Sequence, residues 1–434
     1  MTSDIASPSA AVKRHPPAPG GRLLDNWLAI QAINLDRQAR SLRAFGDTEF
    51  GTGPASPSPA QIDAVNTFVA TLRTGAIAAA DQVAAAVQAA RRSPGPAALQ
   101  SALARKDAAL SRVLHVEAIW DFYHDIFVQR LSSFGPTLRA VDRIGADCYE
   151  AIYPPLGRPV PPLLPFSFAD AGFSPATFRR GVPLSRLRQH PNLFPLVTIP
   201  QHRLSNVWAL SSVLHEISHN LQADLGMWNV MPELLRRRMS AEGIPAGVAA
   251  LFARWHKEIA ADLYALLLGG PAVVSSLMDV VGRSADVTVT FDPTSVHPTP
   301  FLRPYLSTHL LRRLGLPVLA GELEGVWQRL YPAGHTELPP ELRAAFPRAT
   351  EIVVDTMVFQ AHGQLGGASM TDLLPFGPKQ QEVVEEGGRA LAAGREPDAI
   401  APRFLVSAAR YAIDRRLAEP QHITDMFYTA LGRR

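Results

Sequence analysis

His215-Glu216-Ile217-Ser218-His219 lies within residues 207–226, a run whose spacing decides how this part of the chain folds. Val207, Leu210, Leu214, Ile217 and Leu221 recur at alternating steps of three and four residues, which is one face of a helix. His215 and His219 fall opposite that apolar arc, Ser211 and Ser212 stand one turn before them, and Gly226 sits where a C-cap would close the segment. At this spacing the two imidazoles share one face and can reach a single ion, with Glu216 projecting beside them. Such a five-letter pattern arises by chance in about one chain in a hundred of this length. Taken alone, the segment also fits an amphipathic surface helix with two solvated histidines.

Residues 248–268 discriminate between these readings. Leu251, Phe252, Trp255, Ile259, Leu263 and Leu266 form an apolar arc, and Glu258 and Asp262 lie inside it while Arg254 and Lys257 lie outside. A carboxylate on a buried face is costly unless it is paired or bound to a metal. Catalytic zinc usually takes three protein ligands and a water. Glu258 is therefore expected to complete a site with His215 and His219, and Asp262 to accept the free N–H of a liganding histidine and fix its tautomer. An arginine-paired couple of buried carboxylates is the alternative. Glu216 would take a proton from a zinc-bound water as it attacks a carbonyl. Asp224 shares a helix with the histidines and is expected to point away, and Glu233 lacks an acidic partner four residues on.

His215–His219 followed by Glu258-Ile259-Ala260-Ala261-Asp262 resembles the gluzincin arrangement of zinc metallopeptidases. The ExxAD form, with His297-Pro298-Thr299-Pro300 and then Arg303, is most similar to the HtpX and CAAX-prenyl endopeptidase type, over residues 190–310. The resemblance implies His215, His219 and Glu258 as ligands of Zn2+, Glu216 as general base and a zincin-like core. The chain departs from the membrane members in lacking their transmembrane helices. The metzincin pattern is not met, because Leu225 stands where its third histidine would be. His297, Arg303 and Tyr305 are candidates to stabilise an oxyanion opposite the base. His297 beside Pro298 can equally be a turn residue, and Arg303 can equally pair with Asp262 or a backbone carbonyl.

Of the 434 residues 47% are hydrophobic, enough for a sizeable core. Basic and acidic residues number 42 and 39, and the only lysines are Lys13, Lys106, Lys257 and Lys379. With no basic stripe interleaved with aromatics, nucleic acid is not an expected partner. Cys148, the only cysteine, excludes disulfides within the chain and cysteine-based zinc knuckles. Neither a signal peptide nor a membrane span is legible, so a cytoplasmic protein is expected.

Residues 1–21 read as a disordered tail and 22–155 as a helical region punctuated by Gly51–Pro59 and Ser93–Pro96. Within it, Trp120, Phe122, Tyr123, Ile126 and Phe127 form an aromatic patch expected in the core. Prolines 154, 155, 159, 161, 162 and 165 forbid a long helix. Leu193–Ile199 and Asp286–Phe291 are the strand candidates, the latter through alternation of Val287, Val289 and Phe291 with threonines. Residues 336–434 read as helices broken near Gly363–Gly367 and Pro375–Pro378.

The expected architecture is a predominantly helical α+β protein, with a zincin-like core and small sheet over 156–335 between two helical regions. The expected function is a zinc metallopeptidase acting on a peptide or protein. Two rivals stand beside it: a zincin-fold binding or scaffold protein with a structural or vestigial metal site, and a metal-dependent hydrolase of a non-peptide bond. The second rival would need a small closed pocket, whereas an edge strand beside the metal would serve an extended peptide.

Overall fold

The computed structural model describes residues 21–332, 337–397 and 400–433. The tail read over residues 1–21 lies outside them, apart from Gly21. The described chain is predominantly helical with two small sheets, an α+β protein as expected. No described helix is long and apolar enough to cross a membrane.

The chain divides into two compact units. The first comprises α1 (Gly21–Ser41) with most of α2 (Pro59–Arg92) and α3 (Pro96–Val128), which meet the chain breaks expected from Gly and Pro. Asp25 of α1 is bonded by the Arg91 guanidinium of α2, and Gln38 donates to Glu117 of α3 at 2.9 Å. Of the aromatic patch, Phe122 and Tyr123 in this unit and Ile126 and Phe127 in the second are buried, while Trp120 is only half-buried.

The second unit, residues 46–64 and 124–434, has one apolar core running from Leu138 in α4 (Gly135–Ile152) to Leu431. Between Ile152 and Gln201 the proline-rich chain forms no α-helix but short strands. β1 (Phe166–Asp170) pairs parallel with β5 (Leu196–Pro200), and β2 (Ala176–Phe178) pairs antiparallel on the other side of β5, with Thr177 opposite Val197. β3 (Pro183–Leu184) and β4 (His190–Pro191) make a separate two-stranded pair. The strand expected at Leu193–Ile199 is thus β5, but it is central and all its residues are buried. The sheet edges are β1 and β2.

After α5 (Gln201–Ser205) and a 3-10 turn, the motif helix α6 (Ser211–Asp224) begins. Leu214, Ile217 and Leu221 are fully buried, each contributing about 1.5–3 kcal/mol of apolar transfer. Gly226 adopts φ 76°, the left-handed conformation that ends the helix as its sequence position suggests. α7 (Met227–Ala241) leads to the long α8 (Ala246–Gly269), which packs directly on α6. Gly269 permits the approach, since a Cβ there would come within 2.6 Å of Leu214.

α9 (Pro271–Val281) follows. The strand expected at Asp286–Phe291 is instead a helical turn, α10 (Ala285–Val289). The alternation misleads there: adjacent Thr288 and Val289 are buried, whereas Val287 is 37% exposed. Ser284 C=O accepts the N–H groups of Val287 and Thr288, and Thr288 Oγ1 donates to Val281 C=O. With no neighbouring strand to pair, these local bonds prevail. The remaining helices are α11 (Arg303–Arg313), α12 (Pro317–Leu330), α13 (Pro340–Val354), α14 (Met370–Leu373), α15 (Pro378–Ala392), α16 (Pro402–Asp414) and α17 (Pro420–Arg433). They bury apolar faces in the same core as α6 and α8.

Candidate metal centre

α6 and α8 bring His215, His219 and Glu258 together, with one ligating atom of each within 4.8 Å of the others. His215 Nε2 lies 3.4 Å from one Glu258 oxygen and His219 Nε2 lies 3.3 Å from the other. The imidazole centroids are 4.7 Å apart with planes 86° apart, so both rings converge on the carboxylate without stacking on each other. Separation by four residues places both histidines on one helical face, where they meet Glu258 of α8.

Asp262, one turn after Glu258 and buried, takes the other side of His215: His215 Nδ1 donates to its Oδ1 at 2.9 Å. This bond holds the ring with Nε2 turned to the cluster. Arg303, at the start of α11, grips Asp262 with two hydrogen bonds of 2.8 Å, Nε to Oδ2 and Nη2 to Oδ1, and its Nη2 lies 3.6 Å from Glu258. Both readings of Asp262 are therefore met at once, since it contacts a histidine and an arginine. His297 stands at the mouth, its side chain 58% exposed and its Nε2 3.5 Å from Glu258. Tyr305 is not brought to the site. It packs on Phe301, ring centroids 5.2 Å apart. Asp224 accepts from the Tyr149 hydroxyl at 2.9 Å, turned toward α4, and Glu233 is exposed among arginines of its own helix.

Glu216 faces the same cavity, a space of about 490 Å3 lined by α6, α8, α9, β2 and the His297 loop. The Thr177 backbone amide at the sheet edge favours its anion, and Asn220 Nδ2 donates to Thr177 Oγ1 at 2.7 Å, tying β2 to α6. Burial pushes the Glu216 carboxyl up to about 7, with His215 and Arg303 opposing. Burial also disfavours charge on His215, but hydrogen bonds to Asp262 and Glu258 overcome it and raise its pKa to about 10. Burial lowers that of His219, which is thereby kept neutral. Burial likewise opposes the Glu258 anion, yet the two histidines hold its carboxyl far below the usual range.

The donor set fits a divalent cation. With neutral imidazoles, the carboxylates of Glu216, Glu258 and Asp262 face one guanidinium, Arg303, which leaves a negative excess in a buried place. Two nitrogens and an oxygen suit borderline metals. His219 Nδ1 is buried without a hydrogen-bond partner, so this ring, unlike that of His215, has no acceptor fixing its tautomer.

Motif spacing could not reveal Thr177, Trp228 or the cavity wall formed by Val273 and Leu277. The Trp228 ring lies 6.1 Å from that of His219, just past the Gly226 cap. Its place two residues after the Gly226 cap is the one sequence signal that could have pointed to it. Comparison with models of known families, with curated proteins and with solved structures finds no match for this chain.

Proposed function

We propose that the chain is a zinc-dependent metallopeptidase of gluzincin type, with a zincin-like core built on α6, α8 and the sheet. The observation that carries this reading is that Glu216 shares one cavity with the His215/His219/Glu258 cluster. A purely structural metal needs no such carboxylate, which argues against a scaffold role.

His215 Nε2, His219 Nε2 and a Glu258 oxygen would hold the ion. Zinc bound there supplies Lewis acidity that activates water and polarises a carbonyl. Glu216 accepts the proton of the attacking water at its carboxylate and delivers it to the leaving amine, a task suited by a pKa near 7. Asp262 keeps His215 in one tautomer, and Arg303 acts as a positioning residue through Asp262 and Glu258. His297, at the mouth, is the group free to meet a developing oxyanion. The outer edge of β2 offers backbone groups to an extended peptide beside the cluster.

The cavity volume also lies in the range of small-molecule sites, which favours hydrolysis of a non-peptide bond as the second reading. A digest of a diverse peptide pool, with metal content measured in parallel, decides between them. Wild type loaded with zinc should cleave, and Glu216→Gln should keep the metal and lose about 10²–10⁴-fold in rate. An intact peptide pool would turn the assignment to the second reading, and an active Glu216→Gln would end the role of this base.

A further inference from the structure

We infer that Arg179 and Lys257, gathered on the indole of Trp228 beside the metal centre, form a subsite for a substrate carboxylate, either an acidic side chain or a free chain terminus. The inference rests on the peptidase reading and names the substrate class of that same site.

Arg179 directly follows β2 and lines the cavity, and its guanidinium carbon lies 3.7 Å from the centre of the Trp228 ring. Lys257, next to Glu258 on α8, brings Nζ to 4.2 Å from the same ring. The ring in turn abuts His219, so two positive charges stand one side chain away from the cluster. An aromatic face attracts cations, but only by about 0.5–2 kcal/mol each, and like charges gathered on it repel.

The usual remedy is absent. Elsewhere in this unit arginines meet carboxylates directly, as Arg403 does Asp147 and Arg312 does Glu324. Among the described residues neither Arg179 nor Lys257 has an ion-pair partner. Asp224 attracts Arg179 only from a distance, its carboxylate being taken by Tyr149, and Glu258 is engaged by both histidines. Arg303, the other cation of the cavity, is spent on Asp262. The rest of the lining includes the apolar Val273, Leu277 and Val280. A carboxylate at Arg179 and Lys257 would bridge both cations with charge-assisted hydrogen bonds while the adjoining peptide lies along β2.

The test separates binding from hydrolysis. Zinc-loaded Glu216→Gln protein is titrated calorimetrically at low salt with acetylated hexaalanine amide, with the same peptide carrying one Glu or one Gln, and with acetylated hexaalanine bearing a free carboxyl terminus. The carboxylate peptides should bind about tenfold or more tightly than their neutral counterparts. Adding Arg179→Gln and Lys257→Gln should abolish the difference, with the melting temperature checking that this variant folds. Whichever acidic peptide gains more identifies the source of the carboxylate. Equal binding of neutral and acidic peptides by the chain with both cations intact overturns the inference, as does a preference that survives their loss. Cleavage is scored separately with Glu216 intact, so a binding preference without cleavage defeats the peptidase reading and leaves the subsite standing.

Discussion

Two buried clusters of charge share the second unit, and they are balanced differently. Arg130 and Asp142 face each other at 2.9 Å. Arg130 also donates to Ser167 C=O at 2.6 Å and lies 3.9 Å over the Phe166 ring, while Asp142 accepts both the N–H and the Oγ of Ser167 at 2.7 Å. One positive charge meets one negative charge at the start of β1, and neither residue lines a cavity. Between α6 and α8, by contrast, carboxylates outnumber guanidinium groups and the histidine Nε2 atoms converge on an accessible space. Ion pairs that close on themselves hold a fold; a cluster whose donor atoms converge on open space can also take up an ion.

The sharpest way to break that contrast is to remove one charge from each cluster. Glu258→Ala should reduce zinc affinity by more than about 100-fold, beyond the loss from residues that merely orient a ligand. Unchanged zinc content by metal analysis would place the third ligand elsewhere. Arg130→Ala should do the reverse. It strands Asp142 and should destabilise the fold by about 3 kcal/mol in denaturant titrations, leaving zinc affinity intact.

Acid–base behaviour sharpens the comparison further. Without metal, His215 keeps its proton up to about pH 10 instead of 6.5, so this stabilising contribution is complete below 6.5 and is lost as pH rises through 10. Glu216, raised from 4.5 to about 7, likewise costs stability once it ionises. Metal-free protein should therefore melt at progressively lower temperature from pH 6.5 to 10, and the gain on adding zinc should widen across that window because the ion no longer competes with protons. A zinc-induced gain that stays flat with pH would show that these groups do not surround the ion. The smallest expected effect is at the helix end. Gly226→Ala should cost about 1 kcal/mol through its positive φ, equally with and without metal.

Much of the site is legible in the sequence because helical periodicity is local. The side of α6 that carries His215 and His219, and the improbable burial of Glu258 and Asp262 on α8, follow from spacing and polarity alone. The sheet is less legible. β1 lies within a proline-rich stretch that obscures it, β5 is recognisable but its central position is not, and the alternation at Asp286–Phe291 belongs to a helical turn. Short strands are specified by their partners, and the partners are distant in sequence.

By itself the sequence determined the predominantly helical class, the two facing helices and the residue types able to hold a cation. Only the tertiary structure decided that Arg303 reaches Asp262, that Thr177 of β2 and Glu216 line one cavity, and that Arg179 and Lys257 meet on Trp228. Periodicity fixes which face of a helix a side chain occupies, but which faces meet depends on how the whole apolar core packs, and no local pattern encodes that.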